Sequence, residues 1–107
     1  MATESSDPRE RARAVVPKLI DITEKVLYGD VWERPGLSKR DRSLITVASL
    51  IATARGEQLR GHLVRALTNG VTQDEISEII THMAFYSGWP TAISAAFIAK
   101  EVFEARK

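Results

Sequence analysis

Two histidines, His62 and His82, are the residues of this 107-residue chain best suited to acid–base chemistry. Imidazole titrates near neutral pH, so it can give or take a proton under physiological conditions. At about 100° per residue along a helix, His62 lies at the edge of an apolar stripe, and His82 shares a helix side with Tyr86. Each histidine can equally be a hydrogen-bonded residue at the boundary of the core. Spacing alone leaves both interpretations open.

Three further residues are candidates for contact with a small molecule. If the helix extends back to it, Arg55 falls on the same side as His62, and it could bind a carboxylate through two parallel hydrogen bonds. Gln58 lies beside His62 on this side, and Trp89, like Tyr86, could form the wall of a pocket. The competing interpretations are a surface arginine and aromatic rings that fill a core or an interface.

A short link separates the two helices that carry the histidines. The link is Gly70-Val71, and helices joined by so few residues usually run antiparallel and side by side. In that arrangement His62 and His82 would border one cavity. The sequence therefore predicts a shared site between these two helices.

Several chemistries are excluded by residues that the sequence lacks. It contains no cysteine, so disulfides, thiolate catalysis and cysteine-bound zinc are ruled out. No nucleophile elbow, glycine-rich phosphate loop or His-Glu-x-x-His motif occurs. Two histidines on different helices fall short of the four ligands of a structural zinc site, so no metal site is predicted.

Composition predicts one small globular domain without a nucleic-acid or membrane partner. The formal net charge is +1, and acidic and basic residues alternate instead of forming a basic stripe. No apolar run approaches the roughly 20 residues that span a bilayer. The polar N-terminal segment lacks the apolar core of a signal peptide, so a cytoplasmic location is expected.

The pattern of apolar residues is helical, and no strand-like alternation occurs over a useful length. Residues 1–7 are expected to form a loose tail and residues 8–107 a single all-α domain, a compact helical bundle. Residues 29–37 form a connector that Trp32 is expected to anchor. Proline and capping signals predict helix starts at Pro8, Pro17, Ser38, Thr72 and Pro90.

From Val31 onward the sequence resembles the carboxymuconolactone decarboxylase family. The matching segments are residues 31–37, 41–48, 58–62, 66–72, 74–76 and 82–90. The most specific feature is the combination of a segment running from His62 to Val71 with the later segment Tyr86-Ser87-Gly88-Trp89-Pro90. This combination indicates family membership more strongly than it indicates a substrate.

The resemblance implies an all-α fold that assembles into dimers and trimers of dimers, hence a homohexamer. Such assembly would explain why residues 44–52 and 92–99 are apolar on more than one helix side. Some relatives are thiol peroxidases that carry a Cys-x-x-Cys pair shortly before the histidine that matches His62. Arg55 and Gln58 stand near the corresponding places here, so the resemblance excludes thiol peroxidase activity.

The decarboxylase branch of the family implies a reaction without a metal or an organic cofactor, in the breakdown of aromatic compounds. Loss of carbon dioxide from 4-carboxymuconolactone places electrons on the lactone carbonyl oxygen, and a proton then adds to the α carbon. By resemblance, His62 is the proton donor or the oxyanion partner. Facing geometry adds supporting donors and binding residues: His82 and Tyr86 as donors, Arg55 as carboxylate clamp, Gln58 beside it, and Trp89 as pocket wall.

Two other functions remain open at this point. The chain could be a divergent family enzyme that acts on another small acid or carbonyl compound. It could also be a non-catalytic oligomeric protein that binds a small molecule. Turnover of the lactone separates the first interpretation from both alternatives.

Overall fold

A computed structural model describes residues 7–106, and every regular element in this range is helical. The predicted all-α fold class is therefore confirmed for the described residues. By its internal contacts the chain divides into two compact units, residues 1–36 and residues 37–107. Apart from Asp7, the predicted loose tail lies outside the described residues.

Among its described residues, the first unit contains four short helical elements, and the first two begin at prolines, as the sequence signals predict. They are α1 (Pro8–Arg13), α2 (Pro17–Ile22), a π-helix (Thr23–Leu27) and a 3₁₀ helix (Val31–Glu33). Asp7 caps α1, because its side chain accepts a hydrogen bond from the backbone N–H of Arg9 at 2.9 Å. Pro17 opens α2, where its missing N–H costs no helical hydrogen bond.

The connector at the end of the first unit is anchored by aromatic contacts. Trp32 is buried, and its ring centroid lies 5.8 Å from that of Tyr28. The prediction that Trp32 anchors the connector agrees with this burial. Four apolar side chains of this unit are largely exposed: Leu19, Ile22, Val26 and Leu27.

The second unit is a bundle of four longer helices: α3 (Lys39–Ala52), α4 (Gly56–Thr68), α5 (Gln73–Ser87) and α6 (Trp89–Ala105). Ser38 caps α3 by accepting from the backbone N–H of Asp41 at 3.0 Å. Thr72 and Glu75 form a complete capping box at the start of α5, with reciprocal bonds of 3.0 and 2.9 Å. Local sequence signals thus determine where these helices begin.

Helix packing in the second unit differs from the prediction in one respect. Helix α4 packs mainly against α3 and α6, and α5 packs mainly against the same two helices. The expectation that α4 and α5 are direct neighbours is therefore wrong. Both helices turn their apolar faces toward α3 and α6, and the link between them turns at Gly70 (φ 100°) and buries Val71.

The core of the second unit is built from aliphatic side chains. Val47, Ile51, Leu63 and Ile76 are at most 1% exposed, and burying each such side chain contributes about 1.5–3 kcal/mol. Helix α6 adds buried alanines, which allow close helix contact. A Cβ at Gly56 would lie 3.2 Å from Cδ1 of Ile98, so α4 and α6 approach closely there.

The two helices predicted to be buried on nearly every side bury one stripe each within a single chain. Ile45 on α3 is 59% exposed, and Phe97 on α6 is 65% exposed. A second covering surface is therefore needed before these side chains leave water. Across residues 7–106, no helix has the length and apolar character to cross a membrane.

Candidate active site

His62 lies in the middle of α4 and is partly withdrawn from solvent. Its Nδ1 atom is buried, although the residue as a whole keeps some exposure. Burial lowers the pKa of His62 below its ordinary value, and the positive charge of nearby Arg65 lowers it further. The imidazole is therefore mainly neutral at pH 7, with one N–H to donate and one nitrogen to accept.

The turn before α4 carries Arg55 at its end. Ala54 has a positive φ of 58°, a conformation that costs free energy in a residue with a Cβ. Arg55 then serves as the N-cap residue of α4, and its backbone N–H donates to the carbonyl oxygen of Leu50 at 2.9 Å. The backbone contacts fix where the arginine leaves the chain.

The guanidinium of Arg55 is exposed and makes no ion pair or side-chain hydrogen bond within residues 7–106. Arg60, further along the same helix, pairs with Glu101 at 2.8 Å. Arg40 on α3 similarly pairs with Glu75 on α5. Arg55 is thus available for an anion in a way that these two arginines are not.

Arg55 also lines a cavity of about 110 Å³ between the end of α3 and the first turns of α4 and α6. Two hydroxyl residues of α6, Thr91 and Ser94, line the same space. Sequence patterns did not single out either residue, because each is an unremarkable position in an alanine-rich helix. The proximity of Arg55 to these hydroxyls follows from helix packing.

A buried polar pair joins α4 to α3 on the side of α4 that carries His62. The side-chain amide of Asn69 donates to Oγ of Ser43 at 3.0 Å, and Ser43 is only 1% exposed. Asn69 follows His62 by seven residues, which is about two helical turns. Helical spacing alone does not reveal this pair; the available signal is Ser43, a polar residue four positions before the buried Val47.

The remaining predicted site residues lie elsewhere, at the junction of α5 and α6. His82 stacks on Tyr86 with ring centroids 4.7 Å apart, and Phe85 meets Trp89 edge to face at 5.5 Å. All four side chains are exposed. We refer to His82, Phe85, Tyr86 and Trp89 as the aromatic cluster.

The structure therefore separates the predicted site into two groups. Gln58 and His62 lie on α4, where Gln58 is exposed, and Arg55 is the N-cap residue of this helix. His82, Tyr86 and Trp89 belong to the aromatic cluster. The prediction of a cavity between α4 and α5 rested on direct contact between these helices, but each of them packs mainly against α3 and α6.

Within residues 7–106, no three side chains among His, Asp and Glu come together in a way that could hold a metal ion. The groups that could bind a small molecule are instead an arginine, hydroxyls and a neutral imidazole. Such groups can bind an anion and donate hydrogen bonds to a developing negative charge.

Comparisons with known proteins identify the family that this chain resembles. A sequence model of the carboxymuconolactone decarboxylase family matches residues 17–101, which includes parts of both compact units. The chain is 47% identical over 84 residues to the 4-carboxymuconolactone decarboxylase of Acinetobacter baylyi, covering 78% of this chain and 63% of that protein.

A second relative is the nitrosuccinic acid decarboxylase of Metarhizium robertsii. The two are 39% identical over 74 residues, covering 69% of this chain and 52% of the relative. The chain thus spans less than two thirds of the length of each of these relatives. The family match covers most of this chain, and we conclude that the chain belongs to the carboxymuconolactone decarboxylase family.

Proposed function

We propose that the protein is a cofactor-independent decarboxylase of 4-carboxymuconolactone or a related lactone acid. One observation supports the proposal above the others. A partly buried, neutral histidine, His62, lies on a helix whose N-cap residue, Arg55, has no acidic partner among the described residues, in a chain whose relatives are named as decarboxylases. A decarboxylation site needs the same two kinds of group.

The reaction requires a hydrogen-bond donor for the developing oxyanion, a source of one proton and a cation that binds the anionic substrate. The carbon–carbon bond to the departing carboxylate breaks, and its electron pair moves through the ring double bond onto the lactone carbonyl oxygen. The resulting oxyanion needs a hydrogen-bond donor, since charge develops there in the transition state. The α carbon then takes up one proton, and the carbonyl forms again. The substrate is an anion throughout, so a cationic side chain is needed to bind it.

His62 acts as the oxyanion partner or the proton donor. A neutral imidazole can donate its N–H to a developing oxyanion without first losing or gaining a proton. Burial of Nδ1 keeps part of the ring in a low-dielectric environment, where such a hydrogen bond is stronger than in water. Lowered basicity also makes the protonated ring, when it forms, a stronger acid.

Arg55 acts as the cationic carboxylate clamp, with Gln58 beside it. Arg55, the N-cap residue of α4, precedes His62 by seven residues, so their Cα atoms lie roughly 10 Å apart. A bidentate arginine–carboxylate pair fixes orientation as well as charge. In this proposal the arginine anchors one end of the substrate while the reacting ring lies toward His62.

We also propose that the protein assembles into a homo-oligomer, with the hexamer of the family as the expected form. Trp89, Ile93 and Phe97 repeat every four residues along α6 and are 58%, 47% and 65% exposed. Phe85 contacts Trp89 and extends the same apolar surface. Patches of this kind usually mark interaction surfaces. Light scattering should give a mass several times the 11.9 kDa of one chain, and a monomer at micromolar concentration would contradict the assembly.

Assembly also bears on the proposed supporting donors. His82 and Tyr86 are exposed in one chain, so a role as hydrogen-bond donors to a desolvated substrate needs a second copy to cover them. Trp89 would become a pocket wall in the same way. We keep these three residues as supporting positions and place the chemistry at His62.

A second candidate is a decarboxylase of another small acid. The likeness to nitrosuccinic acid decarboxylase supports it, because that name describes loss of carbon dioxide from a small acid that is not a lactone. The requirements for an anion clamp and a donor are then the same. The two candidates differ in the shape of the acid that the site accepts.

The test is an assay of the purified protein with enzymatically generated 4-carboxymuconolactone. We expect loss of the lactone and release of carbon dioxide well above the rate without protein, unchanged by EDTA. Nitrosuccinic acid serves as the parallel substrate. Turnover of nitrosuccinic acid alone would favour the second candidate, and turnover of neither would contradict the decarboxylase proposal.

A further inference from the structure

A small cavity lies where the end of α3 meets the first turns of α4 and α6. Its volume is about 110 Å³, smaller than the roughly 150 Å³ that accommodates benzene in an engineered protein cavity. Its walls are mostly aliphatic and include Leu50, Ile51, Leu59 and Ile98. The space therefore suits a chain of two or three carbons and is too small for a substituted lactone ring.

One side of this cavity is polar and has unused hydrogen-bond donors. Arg55 is the one charged residue that lines it. Ser94 also lines it, and its hydroxyl makes no hydrogen bond to any residue in the described part of the chain. By contrast, the hydroxyl of Thr91 contacts the carbonyl oxygen of Gly88 at 2.8 Å and Oγ of Ser87 at 2.9 Å. Arg55 and Ser94 are thus the groups left for a ligand.

The balance of charge indicates the kind of ligand. No acidic residue lines the cavity, so nothing within it neutralises the arginine. A cation at the edge of an aliphatic space is complementary to a carboxylate carried on a short apolar chain. Ala54, which also lines the cavity, holds a positive φ of 58° directly before Arg55. Strain of this type persists where the surrounding structure fixes a particular backbone path.

We propose that this cavity binds the carboxymethyl arm of the lactone substrate, with Arg55 and Ser94 on its carboxylate and the aliphatic walls around its methylene carbon. The inference rests on the proposed function and assigns Arg55 to the carboxylate that stays in the product. The departing carboxylate is left outside the arginine site and nearer to His62.

Transition-state energetics favour this assignment. The departing carboxylate loses its negative charge as the carbon–carbon bond breaks, so an arginine on it would stabilise the ground state more than the transition state. The retained carboxylate keeps its charge throughout. An arginine on the retained group binds substrate and transition state equally, which lowers KM without slowing the chemical step.

Propionate is the probe for the cavity, because it has the size of the arm and lacks the lactone ring. In NMR titrations of the ¹⁵N-labelled protein, we expect saturable shifts of the Gly56 and Ala95 amides. Propionamide, the neutral analogue, should bind about tenfold more weakly or worse, because it gives up a charge-assisted hydrogen bond.

Matched arginine variants locate the binding group. Arg55→Gln should weaken propionate binding about tenfold or more, whereas Arg60→Gln should leave it within about twofold, because Arg60 already pairs with Glu101. Ser94→Leu, which fills the mouth of the cavity, should also weaken binding. The proposal is overturned if the wild-type protein shows no saturable shift or if both arginine variants weaken binding equally.

Steady-state kinetics separate this inference from the proposed function. Arg55→Gln should raise KM for the lactone about tenfold or more and change kcat by less than about threefold. A fall in kcat at unchanged KM would overturn the assignment to the retained carboxylate while leaving the decarboxylase proposal intact. Propionate binding that depends on Arg55, in a wild-type protein that turns over no lactone, would instead contradict the proposed function and leave the carboxylate site standing.

Discussion

His62 on α4 and His82 on α5 have contrasting environments. His62 is partly buried, and burial together with the charge of Arg65 lowers its pKa. His82 is exposed and stacks on Tyr86, which is 76% exposed. Helical spacing placed both residues beside apolar positions, so the difference arises from which helices meet. Desolvation, which makes a histidine useful at a reacting centre, is a property of tertiary packing.

The same contrast extends to the surrounding residues. Near His62, α4 is held against α3 by a buried polar pair and against α6 by an ion pair, Arg60 with Glu101. Around His82, the rings of the aromatic cluster contact one another in two pairs and leave apolar surface in water. The first region has the fixed geometry that catalysis needs, and the second has the exposed surface that association needs.

The largest expected effect on stability compares a core residue of α4 with a residue of the aromatic cluster. Leu63 is 0% exposed, so Leu63→Ala should lower the free energy of unfolding by about 2–5 kcal/mol. Phe85 is 74% exposed, so Phe85→Ala should cost less than about 0.5 kcal/mol in dilute protein. Urea unfolding at two protein concentrations measures both variants.

Measuring both variants at two protein concentrations distinguishes a core residue from an interface residue. If another copy covers the aromatic cluster, the cost of Phe85→Ala should grow with protein concentration, whereas the cost of Leu63→Ala should persist at both concentrations. A cost for Phe85→Ala equal to that of Leu63→Ala at both concentrations would show that the cluster belongs to the core of a single chain.

A smaller loss is expected when the buried polar pair is broken. Asn69→Ala leaves the hydroxyl of Ser43 buried without its amide partner, at a cost of about 1–3 kcal/mol. Ser43→Ala should cost less, because the amide of Asn69 is only partly buried and can turn to water. The double variant should therefore be more stable than Asn69→Ala alone. Equal losses for both single variants would contradict the proposed role of burial.

The smallest expected effect is a pH dependence of stability that arises from His62. Its pKa is lowered in the folded protein, so the unfolded chain binds a proton more readily below the ordinary value of 6.5. The contribution of His62 to stability is thus fully present above pH 6.5 and is lost as the pH falls through the lowered pKa.

Unfolding midpoints measured between pH 7.5 and 5 would reveal this slope. Replacing His62 by Gln should flatten it. A slope that is the same in the wild-type protein and in His62→Gln would show that another group causes it.

Sequence patterns predicted the local features of the fold because those features depend on residues close together in the chain. Asp7, Ser38 and Thr72 each cap a helix through a contact spanning two or three residues. Pro17 and Pro90 mark helix starts through their own ring geometry. Such signals need no knowledge of the rest of the molecule.

Tertiary features could not be predicted in this way, because they depend on residues far apart in the chain. The periodicity of α4 and α5 shows that each has an apolar face but not which helices cover it, so their direct contact was wrongly expected. Arg55 and Ser94 are separated by all of α4 and α5 and the start of α6, yet both line one cavity. The local spacing of residues does not show that Arg55 and Ser94 line the same cavity.

Paired histidine variants in the lactone assay test directly whether decarboxylation takes place at His62. His62→Gln keeps the approximate size and part of the hydrogen bonding of the side chain, and His82→Gln makes the same change on α5. Loss of a general acid or an oxyanion donor should reduce kcat about 10²–10⁴-fold in His62→Gln. His82→Gln should stay within a few-fold of wild type, with helicity and oligomer mass unchanged in both variants. A His62→Gln protein that turns over the lactone within a few-fold of wild type would contradict the account and move the site to the aromatic cluster.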